Sequence, residues 1–163
     1  MTPLARMCSL AKPQVCYPTT MSLSAALADE TKKAAIIDDA VKLVDEEVAS
    51  KSGISGFAVK NGYNAVKSIK PGFIKEAVGH LLPDMATKLE PVWEDGKKAG
   101  NARAHFEKNR GQVADALLSV TDGKVERAKS GMVKSTYKML RGSAKKHVEE
   151  AVPRLVGLLE KHA

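Results

Sequence analysis

The chain has 163 residues, of which 44% are hydrophobic and 28% charged, and it carries a net charge of +7. This balance is typical of a globular domain and argues against a disordered or membrane-embedded protein, and the length suffices for one compact domain. Cysteine occurs only at Cys8 and Cys16, which excludes a disulfide framework and a thiol nucleophile from the rest of the chain. Aromatic residues amount to 4%, and without sustained period-two alternation the sequence favours helices over strands.

The first 21 residues differ from the rest of the chain. Residues 1–20 contain three prolines but no acidic residue, and they show no helical periodicity. We expect either a disordered tail or an over-called start with Met21 as the natural first residue, while a transit peptide is a weaker alternative. The domain is therefore expected over residues 22–163. Its uninterrupted apolar runs stay far short of the roughly 20 residues that a transmembrane helix needs.

The first predicted helix follows Asp29 and is about 20 residues long. Its apolar stripe, with steps of four, three and four, consists of Ile37, Val41, Val44 and Val48. This spacing places the stripe on one helical face. The helix is expected to end at Ser52-Gly53, because Gly53 can adopt the left-handed conformation that closes a helix.

Two further helices are predicted in the middle of the chain. The first is expected to be capped by Ser55 and to end at Lys70-Pro71-Gly72, with Val59, Tyr63 and Val66 as its stripe. The stripe of the next helix consists of Ile74, Val78, Leu81, Met85 and Leu89. Pro83 and Pro91 predict kinks or fresh helix starts, because a proline removes a helical hydrogen bond. The segment from Gly96 to Gly100 is expected to be a flexible connector.

The last part of the chain has the most regular pattern. A helical region with Phe106, Val113, Leu117 and Val120 is expected to end near Thr121-Asp122-Gly123. From Val133 to the C-terminus, apolar steps of four and three predict one long helix or two collinear ones, with a joint at Gly142-Ser143 and a kink at Pro153. The sequence thus predicts an all-α, single-domain helical bundle of five to seven helices with a long C-terminal helix.

Catalytic and cofactor-binding motifs are missing from the sequence. None of the four histidines follows a glutamate by three residues, the spacing of carboxylate-bridged metal sites in bundles. Glu76 and His80 share a helical face, but two ligands do not complete a metal site, and an ordinary surface pair is the simpler interpretation. The glycine patterns of nucleotide and hydrolase sites do not occur. We therefore predict a protein that is not an enzyme and has no cofactor.

The distribution of charge is the feature that stands out. Residues 21–95 contain nine Lys and Arg against twelve Asp and Glu, whereas residues 96–163 contain fifteen against seven. Within the basic segment 124–146, we define a basic ridge as the candidate polyanion-binding residues Lys134, Lys138, Arg141, Lys145 and Lys146. The first four of these residues are separated by four, three and four positions, like the apolar stripe next to them. They therefore flank the stripe on one side of the helix.

Several partners fit this charge pattern. The basic ridge can be solvated, or it can pair with an acidic helix in the same molecule or in a second copy, whose carboxylates are Asp38, Asp39, Asp45, Glu46 and Glu47. As the alternative, it can bind a nucleic acid or an anionic membrane surface. We favour an unidentified protein partner or self-association and keep polyanion binding as the alternative. A third hypothesis is a carrier that holds an apolar ligand between its helices, because proline kinks can open the core of a bundle.

Several stretches of the chain resemble an uncharacterised family of small all-helical proteins from actinobacteria. The resemblance runs from about residue 21 to 163 and rests on turn and seam signatures at Lys51-Ser52-Gly53-Ile54-Ser55-Gly56, Lys70-Pro71-Gly72-Phe73, Leu81-Leu82-Pro83, Leu117-Leu118-Ser119-Val120-Thr121-Asp122, Arg141-Gly142-Ser143-Ala144-Lys145-Lys146 and Pro153-Arg154-Leu155. It implies a bacterial, cytoplasmic protein. It implies no activity, because the family has none assigned.

Overall fold

The computed structural model describes residues 22–163, which form seven helices and no strand. In chain order these are α1 (Leu23–Ala26), α2 (Glu30–Ser50), α3 (Gly53–Lys67), α4 (Phe73–Lys98), α5 (Ala102–Lys108), α6 (Arg110–Glu126) and α7 (Gly131–His162). The predicted all-α bundle with a long C-terminal helix is confirmed. The expectations for residues 1–21 lie outside the described residues.

The boundary between α2 and α3 is sharper than predicted. The carboxylate of Asp29 accepts hydrogen bonds from the backbone N–H groups of Thr31 and Lys32, so the predicted start of α2 is confirmed. The predicted cap at Ser55 is wrong, because α3 begins two residues earlier, at Gly53. Gly53 has a φ of 73°. This left-handed conformation reverses the chain within two residues and leaves Ser55 inside the new helix.

Helix α4 continues through both of its prolines. Pro83 and Pro91 lie inside a single helix of 26 residues, so the predicted fresh helix starts are wrong. Both prolines lie on the exposed side of α4. Water can therefore solvate the two carbonyl groups that lose their helical donor, which lowers the free-energy cost of each proline.

The predicted flexible connector at Gly96–Gly100 is mostly helical. Gly96 is a buried residue of α4, and only residues 99–101 separate α4 from α5. A Cβ atom at Gly96 would lie 2.9 Å from the Cα atom of Ala102. Gly96 is thus required for the close approach of two helices, and Gly100, with a φ of 77°, makes the turn.

Helices α6 and α7 are both longer than their predicted segments. Helix α6 does not end at Thr121-Asp122-Gly123 but continues to Glu126, and α7 passes through the predicted joint at Gly142-Ser143 as one helix of 32 residues. The carboxylate of Asp122 binds Tyr137 and Arg141 of α7 and is not used as a helix cap. Contacts between the two helices therefore override the local signals for a helix end.

The hydrophobic core lies at one end of the bundle, where α4, α5, α6 and the second half of α7 meet. Its buried residues include Leu89, Trp93, Phe106, Val113, Val152 and Val156. The rings of Trp93 and Phe106 pack edge to face with centroids 6.1 Å apart. Helix α1 is attached to this end, because the carboxylate of Glu90 accepts hydrogen bonds from the backbone N–H groups of Leu23 and Ser24.

The acidic residues of α2 form ion pairs with the second half of α7. Glu46 and Glu47 each lie 2.8 Å from the guanidinium group of Arg154. The carboxylate of Asp39 contacts both Lys161 and His162. The predicted pairing of these acids with the basic ridge inside the molecule is therefore wrong, because α2 packs along a different stretch of α7.

The two helical glycines Gly96 and Gly142 provide a matched pair of substitutions. We expect Gly96→Ala to destabilise the protein by about 1–3 kcal/mol, because the added methyl group collides with backbone that cannot move freely. Gly142→Ala meets no atom within 4 Å, and it should stabilise α7 by about 0.5–1 kcal/mol through the lower backbone entropy of alanine. Urea unfolding followed by circular dichroism measures both values. Equal effects of the two substitutions would contradict the packing role of Gly96.

Candidate ligand-binding cleft

A cleft of about 480 Å³ opens at the end of the bundle opposite the hydrophobic core. Helices α3, α4, α6 and α7 form its walls, and α2 contributes Val48. The lining is mainly aliphatic and aromatic: Val48, Val59, Val66, Phe73, Ala77, Leu81, Val125, Ala128, Val133 and Leu140, with the rings of Tyr63 and Tyr137. These side chains are only partly buried, because no described side chain fills the space between them.

One wall of the cleft depends on a close approach of α3 to α7. A Cβ atom at Gly62 would lie 2.8 Å from Leu140 Cδ1 and 2.9 Å from Thr136 Cγ2. The two helices therefore touch at this glycine, which is buried. The apolar stripes on either side of the contact, Val59 and Val66 on α3 with Val133 on α7, then face the cleft.

Two tyrosines of the cleft wall have hydrogen-bonded hydroxyl groups. The hydroxyl group of Tyr63 donates a hydrogen bond of 2.7 Å to Asp45, and that of Tyr137 donates one of 2.6 Å to Asp122. Burial, together with the neighbouring carboxylate, raises the pKa of each tyrosine above its ordinary value of 10.0. Both hydroxyl groups are thus engaged in hydrogen bonds with charged acceptors, while both tyrosines line the cleft.

The two carboxylates that hold the tyrosines are also bound by cations. Lys67 lies 3.2 Å from Asp45, and the guanidinium group of Arg141 donates to both oxygens of Asp122 at 2.8 and 3.0 Å. The hydrogen bond from Tyr63 lowers the pKa of Asp45, and the hydrogen bonds from Arg141 and then Tyr137 lower that of Asp122. Each site is therefore a tyrosine, a carboxylate and a cation in contact.

The polar residues that line the cleft are Glu76 and His80 of α4, Thr121 and Lys124 of α6, and Thr136 of α7. Glu76 forms an ion pair with Lys70, which lowers the pKa of its carboxyl group. Lys124 lies 2.7 Å from the carboxylate of Asp84. The exposed His80 makes no hydrogen bond to any residue within 22–163. Glu76 and His80 also border a depression on the outer surface, which places this sequence-predicted pair at the rim of the cleft.

The basic ridge runs along α7, and α6 neutralises part of it. Arg141 is bound by Asp122, and Lys145 lies 2.9 Å from Asp115. Lys134, Lys138 and Lys146 are exposed and form no ion pair with a residue in the described part of the chain. Three of the five candidate residues therefore present unpaired charge, and the acids that bind the other two come from α6 rather than α2.

The cleft was missed in the sequence because its lining has the same pattern as a buried core. The stripes of Val59, Tyr63 and Val66 and of Val133, Tyr137 and Leu140 have the spacing of a helical seam, and periodicity does not distinguish a seam that faces another helix from one that faces a cavity. The one available signal is the pair of glycines in the interior of α3, Gly56 and Gly62.

Other kinds of site find little support within residues 22–163. No group of three or more His, Cys, Asp or Glu side chains in this range is placed to hold a metal ion. In the same range, no helix combines the length and the apolar character that crossing a membrane requires.

Comparisons with known proteins identify a family but no characterised relative. Residues 23–163 match the sequence model of a family of unknown function, DUF6918. No curated protein matches the chain, and no solved structure does so either.

The lowered pKa values of Asp45 and Asp122 predict how stability depends on pH. Because these carboxyls bind protons less readily in the folded chain than at their ordinary pKa of 3.8, their stabilisation is present above about pH 4 and is lost as the pH falls through the folded-state values. We expect Asp122→Asn to lower the urea midpoint at neutral pH and to weaken its decline in acid. Asp95→Asn, at an exposed carboxylate 3.9 Å from its nearest cation, is the control. An unchanged acid profile for Asp122→Asn would contradict this role.

Proposed function

The chain belongs to DUF6918, a family of unknown function, and we propose that it is a binding protein rather than an enzyme, with a small apolar molecule held in the cleft. The single observation that supports this proposal is an apolar cleft of about 480 Å³ within one chain. Clefts of roughly 300–1,000 Å³ with mainly apolar walls and a few polar groups are typical of small-molecule sites.

The energetics of the cleft favour an apolar occupant. Its aliphatic side chains are half-buried, so they lie against water when the cleft is empty. An apolar ligand removes this surface from water, which stabilises the complex by about 25 cal/mol per Å² of buried apolar area. The walls need little rearrangement to receive it, because the contact at Gly62 and the two hydrogen-bonded tyrosines already hold them in place.

The chemistry of the lining supports binding without turnover. Catalysis of acyl or phosphoryl transfer needs an activated nucleophile with a base in hydrogen-bond reach, or a metal that activates water. The tyrosine hydroxyls are engaged with Asp45 and Asp122, and the hydroxyl of Thr121 donates to the backbone of Leu117. His80 at the rim has no serine or threonine hydroxyl as a hydrogen-bond partner within residues 22–163.

Filling the cleft should weaken binding of an apolar probe. We expect Val133→Phe to weaken binding of N-phenyl-1-naphthylamine at least about tenfold, or ~1.4 kcal/mol, because the ring takes the volume that the probe needs. Met139→Phe makes a similar change on the exposed side of the same helix, where the methionine side chain is 63% exposed, and should leave binding unchanged. Fluorescence titration measures the affinities, and urea unfolding shows that both variants are folded. Equal effects, or no binding by the parent protein, would contradict the proposal.

A second candidate function is polyanion binding through the basic ridge. The observation that favours it is the exposed, unpaired charge of Lys134, Lys138 and Lys146 on one helix. Three cations along a helix can contact the phosphates of a nucleic acid or of an anionic lipid surface, with an affinity that decreases as salt is added. Self-association, for which the exposed side chains of Ile54 and Phe57 would provide an apolar contact, stays a prediction.

Charge reversal tests the ridge. If it binds a polyanion, the triple substitution of Lys134, Lys138 and Lys146 by Glu should abolish binding to duplex DNA or to vesicles with anionic lipids at low salt. The control replaces three exposed lysines elsewhere, Lys42, Lys88 and Lys108, by Glu, and so changes the net charge equally. Binding that the two triple variants weaken to the same extent would show a general charge effect and contradict a specific ridge, as would no binding by the parent chain.

A further inference from the structure

We infer that the ligand of the cleft is an uncharged, largely apolar molecule with a hydroxyl or carbonyl group that hydrogen-bonds to His80 at the rim. This inference rests on the proposed function, since it names the class of ligand for that site. It follows from the ion pairs and hydrogen bonds that the polar groups around the cleft already form.

The charged groups that line the cleft are neutralised by neighbours outside it. Glu76 is paired with Lys70, and Lys124 is paired with Asp84. A carboxylate or phosphate inside the cleft would leave water without meeting an unpaired cation among the described lining residues, which is unfavourable because the ion loses its hydration. An ammonium group would equally find the carboxylate of Glu76 already occupied by Lys70. The cleft therefore discriminates against a ligand of either charge.

The hydroxyl groups of the wall are also largely engaged. Those of Tyr63 and Tyr137 donate to carboxylates at 2.7 and 2.6 Å, and that of Thr121 donates to a backbone carbonyl. Bonds to a charged acceptor are roughly twice as strong as neutral ones, so a ligand does not readily compete for the two phenols. Thr136 turns its methyl group towards Gly62, so this side chain presents part of its apolar surface where α3 meets α7.

His80 differs from the two tyrosines and Thr121 both in position and in bonding. It is exposed, it belongs both to the cleft and to the outer depression, and it makes no hydrogen bond to a described residue. A neutral imidazole has one donor and one acceptor nitrogen, so it can bind a hydroxyl as well as a carbonyl group. At this place the polar end of a ligand can bind His80 while the apolar part enters the cleft.

A pair of ligands with equal chain length tests the charge preference. In competition with N-phenyl-1-naphthylamine, we expect 1-dodecanol to displace the probe from the full chain at a concentration at least about tenfold lower than dodecanoate. The displacement by 1-dodecanol should change little between low and high salt, because no ion pair forms. Tighter binding of dodecanoate overturns the inference and leaves the proposed function intact. Failure of the probe itself to bind overturns the proposed function.

Substitution of His80 tests the hydrogen bond. We expect His80→Ala to weaken 1-dodecanol about fivefold, the effect of losing one neutral hydrogen bond at a partly solvated site. His80→Gln keeps a donor and an acceptor and should restore most of the affinity. An unchanged affinity of His80→Ala for 1-dodecanol overturns the role of this residue.

Discussion

The carboxylate of Asp122 makes the contact on which much of this structure depends. It accepts a hydrogen bond from Tyr137 and two from Arg141, and so it joins α6 to α7 at 2.6 to 3.0 Å. Because the side chain is engaged across the helix interface, it does not act as a helix cap, and α6 continues to Glu126. The same contact holds the ring of Tyr137 in the cleft wall and neutralises one cation of the basic ridge. One acidic residue therefore affects helix length, cleft shape and surface charge together.

The bundle divides into a filled end and an open end. At the filled end, Trp93 and Phe106 supply large rings that close-pack with valines of α6 and α7. At the open end, Gly62 brings α3 against α7, but the valines beside it are too small to fill the space between four helices. Apolar surface that remains half-exposed forfeits hydrophobic stabilisation. Such incomplete packing is common at binding sites, where the protein is less stable than a fully packed core would make it.

Electrostatics separates the two candidate functions. Around the cleft, charges occur as neutral pairs such as Lys124 with Asp84, which suits an uncharged ligand. On the outer face of α7, Lys134, Lys138 and Lys146 have no acidic neighbour within the described residues, which suits a polyanion. The two surfaces lie on the same helix but on different sides of it, so the two functions do not exclude each other. Each function requires a different ligand chemistry and is tested by a different variant.

The sequence by itself determined the class of the fold, because apolar steps of three and four residues and caps such as Asp29 are local signals. It also predicted the long C-terminal helix and placed Glu76 and His80 on one face. Only the tertiary structure decided which stripes are buried. The spacing of Val59, Tyr63 and Val66 is the same for a packed seam and for a cleft wall, since periodicity records which side of a helix is apolar but not how far away the next helix lies. That distance depends on contacts between residues far apart in the chain, such as Gly62 with Leu140, and so the cleft became visible only in three dimensions.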